Sequence, residues 1–322
     1  VRTTTRPSRH SLRRLVLRPG THVLRRSATE LQVGLDPRRA VVLPDRPEVR
    51  ALLDALSSPA AARKESEYDG PTLALLADSG LLVDADLLLP LAPLGPSRAR
   101  ASAPRVSRAD VAALAAEAGD RVGDLLQARA QARVEVITCG SPEADAVATS
   151  VAAMLSEAGV EAHLVPRGQR PGEPGESPLT GLLVAVGEPP REVVDDWMRT
   201  ATPHLLLRLA EGHAVVGPFV LPGETACLRC VDAHMTDVDP AWPLLVTQYA
   251  SAVTRVREDT LPEPVDALLA ALACAWVARE IVSHAEGGSP ATTSTTVSLD
   301  PRLTALETHC WPRHPECGCT WT

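Results

Sequence analysis

The first third of the chain alternates short apolar runs with turn residues. Residues 15–43 predict three short strands, because apolar and polar positions alternate between the turns. Residues 47–58 repeat apolar positions at helical spacing and predict a helix. Residues 70–90 predict a second helix that breaks at Gly80 before a further strand. These elements predict a winged-helix-like domain over residues 1–95, a class that binds DNA, peptides or protein partners.

A change of composition marks the end of this domain. Residues 90–107 are rich in Pro, Ala, Ser and Arg, as linkers are. The apolar spacing of residues 108–130 predicts one helix that leads into a second domain. Residues 96–130 are therefore predicted to be a linker and connecting helix between domains at 1–95 and 131–322.

The second domain begins with a pattern that nucleotide-binding domains use. Val134–Thr138 predicts a strand, residues 144–158 a helix and Ala162–Val165 a second strand, which together make a βαβ unit. The domain is therefore predicted to be a Rossmann-type α/β domain with a mainly parallel sheet. The remaining patterns predict a strand at 181–188, a helix at 191–201, two strands within 203–223, helices at 239–256 and 264–285, and a hairpin at 294–311.

Composition narrows the classes of function. The chain of 322 residues carries a net charge of −8, which argues against a general nucleic-acid-binding protein. No apolar run reaches transmembrane length, and no signal-peptide core follows the early arginines. The sequence therefore predicts a cytoplasmic protein without a membrane partner. In that compartment disulfides are rare and clustered cysteines more often bind metal.

Four of the seven cysteines form two closely spaced pairs. Cys227 and Cys230 have C-x-x-C spacing, which lets two thiolates of one tight turn reach a single tetrahedral zinc ion. Cys317 and Cys319 offer a second pair near the end of the chain. Four thiolates leave no position open for water or substrate, so the pattern favours a structural zinc site that joins two distant segments. A disulfide or redox pair and unlinked thiols are the alternatives.

The other candidate ligands and thiols carry less information. Cys310 and His314 are alternative ligands from the tail. Cys274 lies in an apolar-striped helix and is predicted to pack in the core. Cys139 ends the first strand of the βαβ unit, but no His or Lys nearby in sequence would lower its pKa. It is therefore predicted to be a buried thiol rather than a nucleophile.

The turn after that strand decides whether the domain can bind a nucleotide. A working loop needs G-x-G-x-x-G, because glycines allow a tight turn and a close approach of backbone N–H groups to phosphate. Here Gly140 is followed by Ser141 and by Pro142, which lacks a backbone donor. Glu143 and Asp145 place negative charge where phosphates would bind, although they suit the N-terminus of a helix.

Two further observations agree with a degenerate nucleotide loop. After the second strand, where an acidic residue would hold a ribose, the chain reads Val165, Pro166 and Arg167. The one lysine, Lys64, lies in the first domain, so the second domain has none for a phosphate. We therefore expect that this domain has lost phosphate chemistry and that ATP is not its cofactor.

A polar run follows the first cysteine pair. Asp232, His234, Asp237 and Asp239 have the spacing D-x-H-x-x-D-x-D, which invites a catalytic interpretation. We favour the alternative of a surface loop in which these residues have turn and capping roles. Trp242 is expected to be a buried anchor.

Several segments carry a resemblance to a known family. They are GPFVLPGETACLRC at 217–230, DAHMTDVDPAWP at 232–243, HPECGC at 314–319 and LRPGTHVLRRSATELQVGLDPRRAVVL at 17–43. These segments resemble the ThiF-like proteins of bacteriocin biosynthesis clusters. Such proteins are partners of YcaO-type cyclodehydratases, which make azole-containing or azoline-containing ribosomal peptides.

The resemblance implies a division of labour between the domains. It implies that the first domain grips the leader of the precursor peptide as an added β-strand. It implies that the second is a ThiF-like domain, similar to ubiquitin-activating-type adenylyltransferases but often inactive. Its structural zinc is then held by Cys227, Cys230, Cys317 and Cys319. The implied partners are the leader peptide and the cyclodehydratase, which uses ATP for ring closure, and a homodimer is left open.

The leader groove is expected between the third strand and the helix after it. Only about half of the strand residues can face a peptide, because the two faces of a strand alternate. The candidates are Leu31, Val33, Leu35, Val41, Val42, Leu43, Val49 and Leu53.

Three hypotheses for function follow from the sequence. The leading hypothesis is a non-catalytic adaptor that binds a precursor leader and presents it to a YcaO-type cyclodehydratase for azoline or azole (thiazole or oxazole) formation. The first alternative is an active ThiF-type adenylyltransferase that forms an acyl-adenylate, which requires a phosphate-binding loop. The second is a winged-helix regulator that binds DNA through the basic first fifty residues.

Overall fold

The described part of the chain divides into two compact units, one ending at Leu126 and the other beginning at Gln127. The predicted linker at 90–105, Lys64 and the last residues of the helix predicted at 239–256 lie outside this described part. The computed structural model describes residues 14–57, 70–88, 106–167, 179–253 and 263–319.

The first unit contains two small antiparallel sheets. Its strands are β1 (Leu15–Leu17), β2 (Val23–Arg25), β3 (Glu30–Val33), β4 (Val41–Pro44) and β5 (Leu82–Asp84). One sheet has the order β2-β3-β4, and the other pairs β1 with β5. The sequence predicts three strands over residues 15–43, whereas the structure has four strands there, β1 to β4. Gly20, with φ at +79°, ends a turn that separates β1 from β2 and lets β1 pair elsewhere.

Among the described residues before β6, five helices accompany these strands. They are α1 (Pro47–Leu56), α2 (Pro71–Asp78), α3 (Ala85–Leu88), α4 (Arg108–Ala118) and α5 (Val122–Gln131). The single helix predicted at 108–130 is thus two helices joined by a 3₁₀ turn at Gly119–Arg121. Gly119 has φ at +59°, outside the helical region, so the helix ends there although the apolar spacing continues.

The second unit is organised around one large sheet. Its strands are β6 (Arg133–Gly140), β7 (Glu161–Leu164), β8 (Leu179–Val186), β9 (His204–Ala210), β10 (His213–Val220), β11 (Thr295–Leu299) and β12 (Leu306–Cys310). Its helices are α6 (Glu143–Glu157), α7 (Asp195–Arg199), α8 (Leu228–Val238), α9 (Trp242–Val253) and α10 (Ala267–Ala285). The helix predicted at 191–201 is a 3₁₀ turn at Arg191–Val194 followed by the short α7.

The sheet is half parallel and half antiparallel. Its seven strands have the order β12-β11-β10-β9-β8-β6-β7. Strands β7, β6, β8 and β9 are parallel, whereas β10, β11 and β12 each run antiparallel to their neighbour. The α/β class is confirmed, but the expectation of a mainly parallel sheet is wrong, because three of the six strand pairings are antiparallel. Short hairpin connections reverse the chain at Gly212 and before β12, and such connections join only antiparallel strands.

Both faces of the parallel strands are covered, which explains their nearly continuous apolar sequence. On one face, α6 and α10 pack against residues such as Val136, Val184 and Leu207. On the other face, α7, α8 and the cysteine tail pack against Leu183 and Leu206. This second face carries the candidate site.

One helix in the described residues has the length and apolarity of a membrane span. It is α10, with a mean hydropathy of 1.4 over its most apolar window, half of which is buried inside the fold. Its buried face includes Ala273, Cys274, Val277 and Ile281, all in the core beside α6 and the sheet. A core helix passes the same test of composition. The prediction that Cys274 packs in the core is confirmed.

Candidate functional site

The four paired cysteines meet on the covered face of the sheet. Cys227 precedes α8 and Cys230 lies in its first turn, while Cys317 and Cys319 return from the tail. The Sγ of Cys227 lies 3.8 Å from that of Cys230 and 3.6 Å from that of Cys317. The Sγ of Cys230 lies 3.4 Å from that of Cys319. All four sulfur atoms lie within 4.8 Å of one another.

This arrangement fits a tetrahedral metal site. A Zn–S bond of about 2.3 Å implies sulfur–sulfur separations of about 3.8 Å in a tetrahedron, close to those observed. All four cysteines are free, and their sulfurs are far beyond the roughly 2.05 Å of a disulfide bond. The cluster could therefore hold a metal ion. Cys310 is exposed on β12 and does not join it.

Hydrogen bonds already favour the thiolate form of one ligand. The thiol of Cys227 and the backbone N–H of His314 both donate to the sulfur of Cys230, and they lower the pKa of that thiol. Gly318, with φ at +77°, supplies the turn that brings Cys317 and Cys319 to the same side. The hydrogen bond to Cys230 and burial raise the pKa of Cys227, and burial raises that of Cys317 to about 12. These thiols would therefore give up their protons when a metal ion binds.

His314 pins the tail to α8 rather than completing the cysteine site. The backbone N–H of Glu316 donates to its Nδ1 at 3.2 Å, so Nε2 carries the proton and donates to Asp237 at 3.0 Å. His234 contacts the tail as well, with Nε2 2.9 Å from the carbonyl oxygen of Pro312. His234, Asp237 and His314 also come within 4.8 Å of one another. In the tautomer set by Glu316, however, His314 has no lone pair directed at this cluster.

The polar run after the cysteine pair is helical, so the predicted surface loop is wrong. Asp232, His234 and Asp237 lie on α8, and only Asp239 has a capping position, at its end. The carboxylate of Asp232 binds Arg191 through two hydrogen bonds of 2.7 and 2.8 Å. The side chains of Asp232 and Arg191 are both mostly buried. Asp232 therefore has a structural role in this ion pair, which its position in the sequence does not reveal.

Arg191 is the centre of an ion-pair network that the sequence analysis missed. Glu188 accepts hydrogen bonds from Arg191 and from Arg208, each at 2.9 Å. Burial would lower the pKa of Arg191, but the carboxylates of Asp232 and Glu188 hold it above its ordinary value. A signal was present in the sequence. Glu188 follows β8 and Arg208 lies late in β9, and the carboxyl ends of neighbouring parallel strands meet at one edge.

Trp242 belongs to the same network. Its indole N–H donates to Asp232 at 3.0 Å, and its side chain is half-buried rather than fully buried as expected. The reason is its position in the first turn of α9, where one ring edge faces solvent while the nitrogen faces α8. Trp242 thus ties α9 to α8 through a buried carboxylate.

The glycine of the nucleotide loop has a packing role. Gly140 has φ at +76°, and a Cβ at this position would lie 2.0 Å from the carbonyl oxygen of Val186. The loop therefore needs a glycine to pass β8, whether or not a phosphate binds. The side chain of Ser141 donates to Glu143, inside the same turn.

The backbone donors of this loop are largely used within the protein. The N–H of Ser141 donates to Val186 at 3.1 Å, that of Ala144 to Ser141 at 3.1 Å, and that of Asp145 to Pro142 at 3.1 Å. Pro142 has no N–H. A phosphate at the start of α6 would therefore meet few free donors.

Arg167, which stands where an acidic ribose ligand would be expected, closes the loop from outside. Its guanidinium donates to the carbonyl oxygens of Ser141 at 2.7 Å and Gly140 at 3.0 Å, and to Asp145 at 2.9 Å. Burial would raise the pKa of Asp145, but the hydrogen bonds from Arg167 and Thr138 lower it below its ordinary value. A cavity of about 320 Å³ lies beside this ion pair.

Cys139 lies directly before the loop and is buried. Burial raises the pKa of its thiol to about 12, so the thiolate is scarce at neutral pH. The prediction that Cys139 is a buried thiol agrees with this environment.

Most residues predicted to line the leader groove lie in the core of the first unit. Leu35 is 77% exposed and Val42 is 40% exposed, whereas the others are buried. The buried candidates are Leu31, Val33, Val41, Leu43, Val49 and Leu53. These apolar side chains pack in the hydrophobic core of the first unit. The alternation of residues along a strand does not reveal which of its two faces is buried.

A groove is nevertheless present between β4 and the helices α1 and α2. It has a volume of about 720 Å³, and apolar residues form most of its lining together with Arg46, Glu48 and Thr72. Among its lining residues, Leu75 is 45% exposed and Val42 is 40% exposed. Pro44, Leu52 and Ala55 also line it. Of the residues predicted from the sequence, Val42, Leu43 and Val49 line this groove, although Leu43 and Val49 are largely buried.

Solved structures of other proteins match the fold of this chain. The heterocyclase TruD matches with a TM-score of 0.63 and 17% identity over 96% of this chain and 43% of that chain. A heterocyclase in complex with substrate and cofactor matches with a TM-score of 0.61 and 17% identity over 96% and 39%. E. coli MccB with MccA matches with a TM-score of 0.55 and 12% identity over 96% and 100%.

This chain has a ThiF-like fold, which it shares with MccB and with less than half of the TruD chain. The fold-level resemblance seen in the sequence is therefore confirmed. At 43% and 39% of their lengths, the chain spans less than half of the two heterocyclases. No protein-family model matches the chain, and no curated protein does.

Proposed function

We propose that this chain is a non-catalytic adaptor for peptide heterocyclisation. The first unit binds the leader of a ribosomal precursor peptide. The second unit docks a YcaO-type cyclodehydratase, which forms the azoline or azole rings. The observation that carries the proposal is a well-formed four-cysteine cluster in the same unit as a nucleotide loop whose donors are used internally.

The groove in the first unit supports peptide binding. In the described part of the chain, β4 pairs only with β3, so its other edge remains available. The N–H of Asp45 donates to Thr29 at 2.8 Å, which fixes the alternation along β4 and turns the N–H and C=O of Val42 outward. Pro44 has no N–H to offer, so an added strand pairs only briefly, around Val42. Apolar side chains in the groove must supply most of the binding free energy.

The domain boundaries are part of this proposal. The winged-helix-like peptide-recognition domain covers residues 1–95, a linker and connecting helix follow at 96–130, and the ThiF-like domain covers 131–322. The division of the described residues at 126 and 127 is compatible with such an arrangement.

We propose that the metal in the cysteine cluster is zinc with a structural role. Thiolate ligands select soft metals, and four of them close the coordination sphere. The cluster joins α8 to the tail, two segments about ninety positions apart in sequence, as Cys227 and Cys317 show.

Active adenylyl transfer is the second candidate. It is favoured by the shared fold with MccB, one structure of which contains ATP at a TM-score of 0.55 and 10% identity. The internal hydrogen bonds of the loop and the position of Arg167 oppose it for this chain.

An assay of ATP turnover separates the two candidates. The isolated chain is incubated with ATP–Mg²⁺ and with peptides selected on it from a random phage-displayed library, and the release of phosphate and pyrophosphate is followed. We expect release no faster than in buffer, because the loop has few free donors for phosphate. MccB serves as the positive control. Peptide-dependent release of pyrophosphate would replace the adaptor with the adenylyltransferase.

A further inference from the structure

The last strand of the large sheet has an unusual environment. Strand β12 lies at the end of the sheet, and in the described residues no strand pairs with its outer edge. All five of its residues are exposed, including Leu306 at 58%. Exposed edges invite pairing with another strand, and proteins usually block them with lysine, proline or a bulge. Residues 306–310 contain no lysine or proline, and their pairing with β11 is regular.

Along β12, successive residues direct their backbone N–H and C=O groups alternately toward β11 and toward the free edge. The N–H of Trp311 donates to Ser294 of the neighbouring segment at 2.7 Å. Since the direction alternates along a strand, Glu307 and His309 also bond inward to β11. Leu306, Thr308 and Cys310 therefore direct their N–H and C=O groups to the free edge.

The sequence L-E-T-H-C is complementary to itself when two copies run antiparallel. With Thr308 opposite Thr308 of a second copy, Glu307 lies opposite His309, and Leu306 lies opposite Cys310. An acid then meets a base twice, and an apolar residue meets an apolar residue twice. We infer that β12 is a homodimerisation strand, which joins two copies of this chain into one continuous sheet about a two-fold axis at Thr308.

The backbone supports this register. Thr308 would exchange two hydrogen bonds with its copy, and each Leu306–Cys310 pair would exchange two more. Glu307 and His309 then form the non-hydrogen-bonded pairs, in which Cα atoms are only about 4.5 Å apart and side chains are closest. The Glu307–His309 pair therefore occupies the position where a hydrogen bond between the two side chains is strongest.

The neighbouring residues disfavour three other registers. A two-fold axis at Glu307 or at His309 would place identical ionisable side chains opposite each other. An axis at Cys310 would place Thr308 opposite Pro312, which has no N–H. The ring of His309 also stacks on Trp311, with centroids 3.8 Å apart, so it is already held on its face of the strand. An isologous contact of this kind closes after two copies.

Disulfide trapping tests the register in the full-length, metal-loaded chain. In a Cys310→Ser background, Thr308→Cys places two thiols directly across the axis, at a Cα separation of about 5.5 Å, within disulfide range. Oxidised glutathione is the oxidant. We expect a covalent dimer for Thr308→Cys. The matched control Glu307→Cys should remain monomeric on a non-reducing gel, since its thiols would be about 8 Å apart or more.

Sedimentation velocity tests the dimer without cross-linking. His309→Glu places carboxylates opposite each other twice and should raise the dissociation constant at least tenfold. The double variant Glu307→Lys with His309→Glu should restore it. Thr308→Pro removes an outward N–H and no bond to β11, so it should abolish dimerisation. At concentrations where the unaltered protein is also a monomer, the two melting temperatures should agree. A monomer at all micromolar concentrations, or a dimer that these variants and the trapping experiment do not affect, would overturn the inference.

Discussion

Cys230→Ser is expected to release the metal ion and to lower the melting temperature by about 10 °C or more. The substitution removes one of four thiolates from a site in which Cys230 is fully buried. Structural zinc sites in small peptides have apparent binding free energies of about 10–16 kcal/mol, so the loss of even a third of this would be large. A loss of about 1 kcal/mol lowers the melting temperature of a unit of this size by about 2–4 °C. Calorimetry and metal analysis by mass spectrometry measure the two effects.

Cys310→Ser is the matched control for that substitution. Cys310 lies in the same tail but is exposed and outside the cluster. The control should keep one metal ion per chain and, when both proteins are compared as monomers, the melting temperature of the unaltered protein. A Cys230→Ser chain that still binds one metal ion with unchanged stability would show that the cluster is not a structural metal site.

Leu75→Arg is expected to weaken peptide binding at least tenfold. Leu75 lines the groove beside β4 and is 45% exposed, so the substitution should leave the core of the first unit intact. Burying a leucine side chain contributes about 1.5–3 kcal/mol, and a loss of about 1.4 kcal/mol corresponds to tenfold in the dissociation constant. Fluorescence anisotropy with labelled peptides selected on the wild-type chain measures the change.

Leu35→Arg provides the comparison. Leu35 is another exposed leucine of the first unit, at 77%, but it does not line the groove. It was a candidate from sequence alone that does not line the groove, unlike Val42, Leu43 and Val49, which were candidates and do line it. Equal weakening by both substitutions, or by neither, would contradict the assignment of the groove.

The cysteine cluster could be predicted because metal ligation is restrictive. Two cysteine pairs with short spacing are typical of a shared metal site, and Cys227, Cys230, Cys317 and Cys319 indeed meet. The βαβ unit was equally accessible, because β6, α6 and β7 have distinct periodicities and Gly140 lies between strand and helix. In both cases local spacing carries the information.

Long-range partners were not accessible in the same way. Asp232 looked like a loop residue because nothing nearby in sequence indicates its bond to Arg191, forty-one positions away. Val33 and Leu53 looked like groove residues, although they are 0% and 1% exposed. Which face of a strand or helix is buried depends on elements that pack against it from elsewhere in the chain. The antiparallel half of the sheet was accessible in part, because the hairpin predicted at 294–311 corresponds to β11 and β12. The pairing of β10 with β11 was not, because it joins segments that are far apart in sequence.

The most direct test of the adaptor is isothermal titration of the purified chain with ATP–Mg²⁺ and then with a library-selected peptide. The account predicts no heat of ATP binding, because Arg167 and the internal hydrogen bonds occupy the loop at Gly140. It predicts micromolar binding of the peptide by the same sample. Saturable binding of ATP would contradict the account and identify this domain as nucleotide-binding.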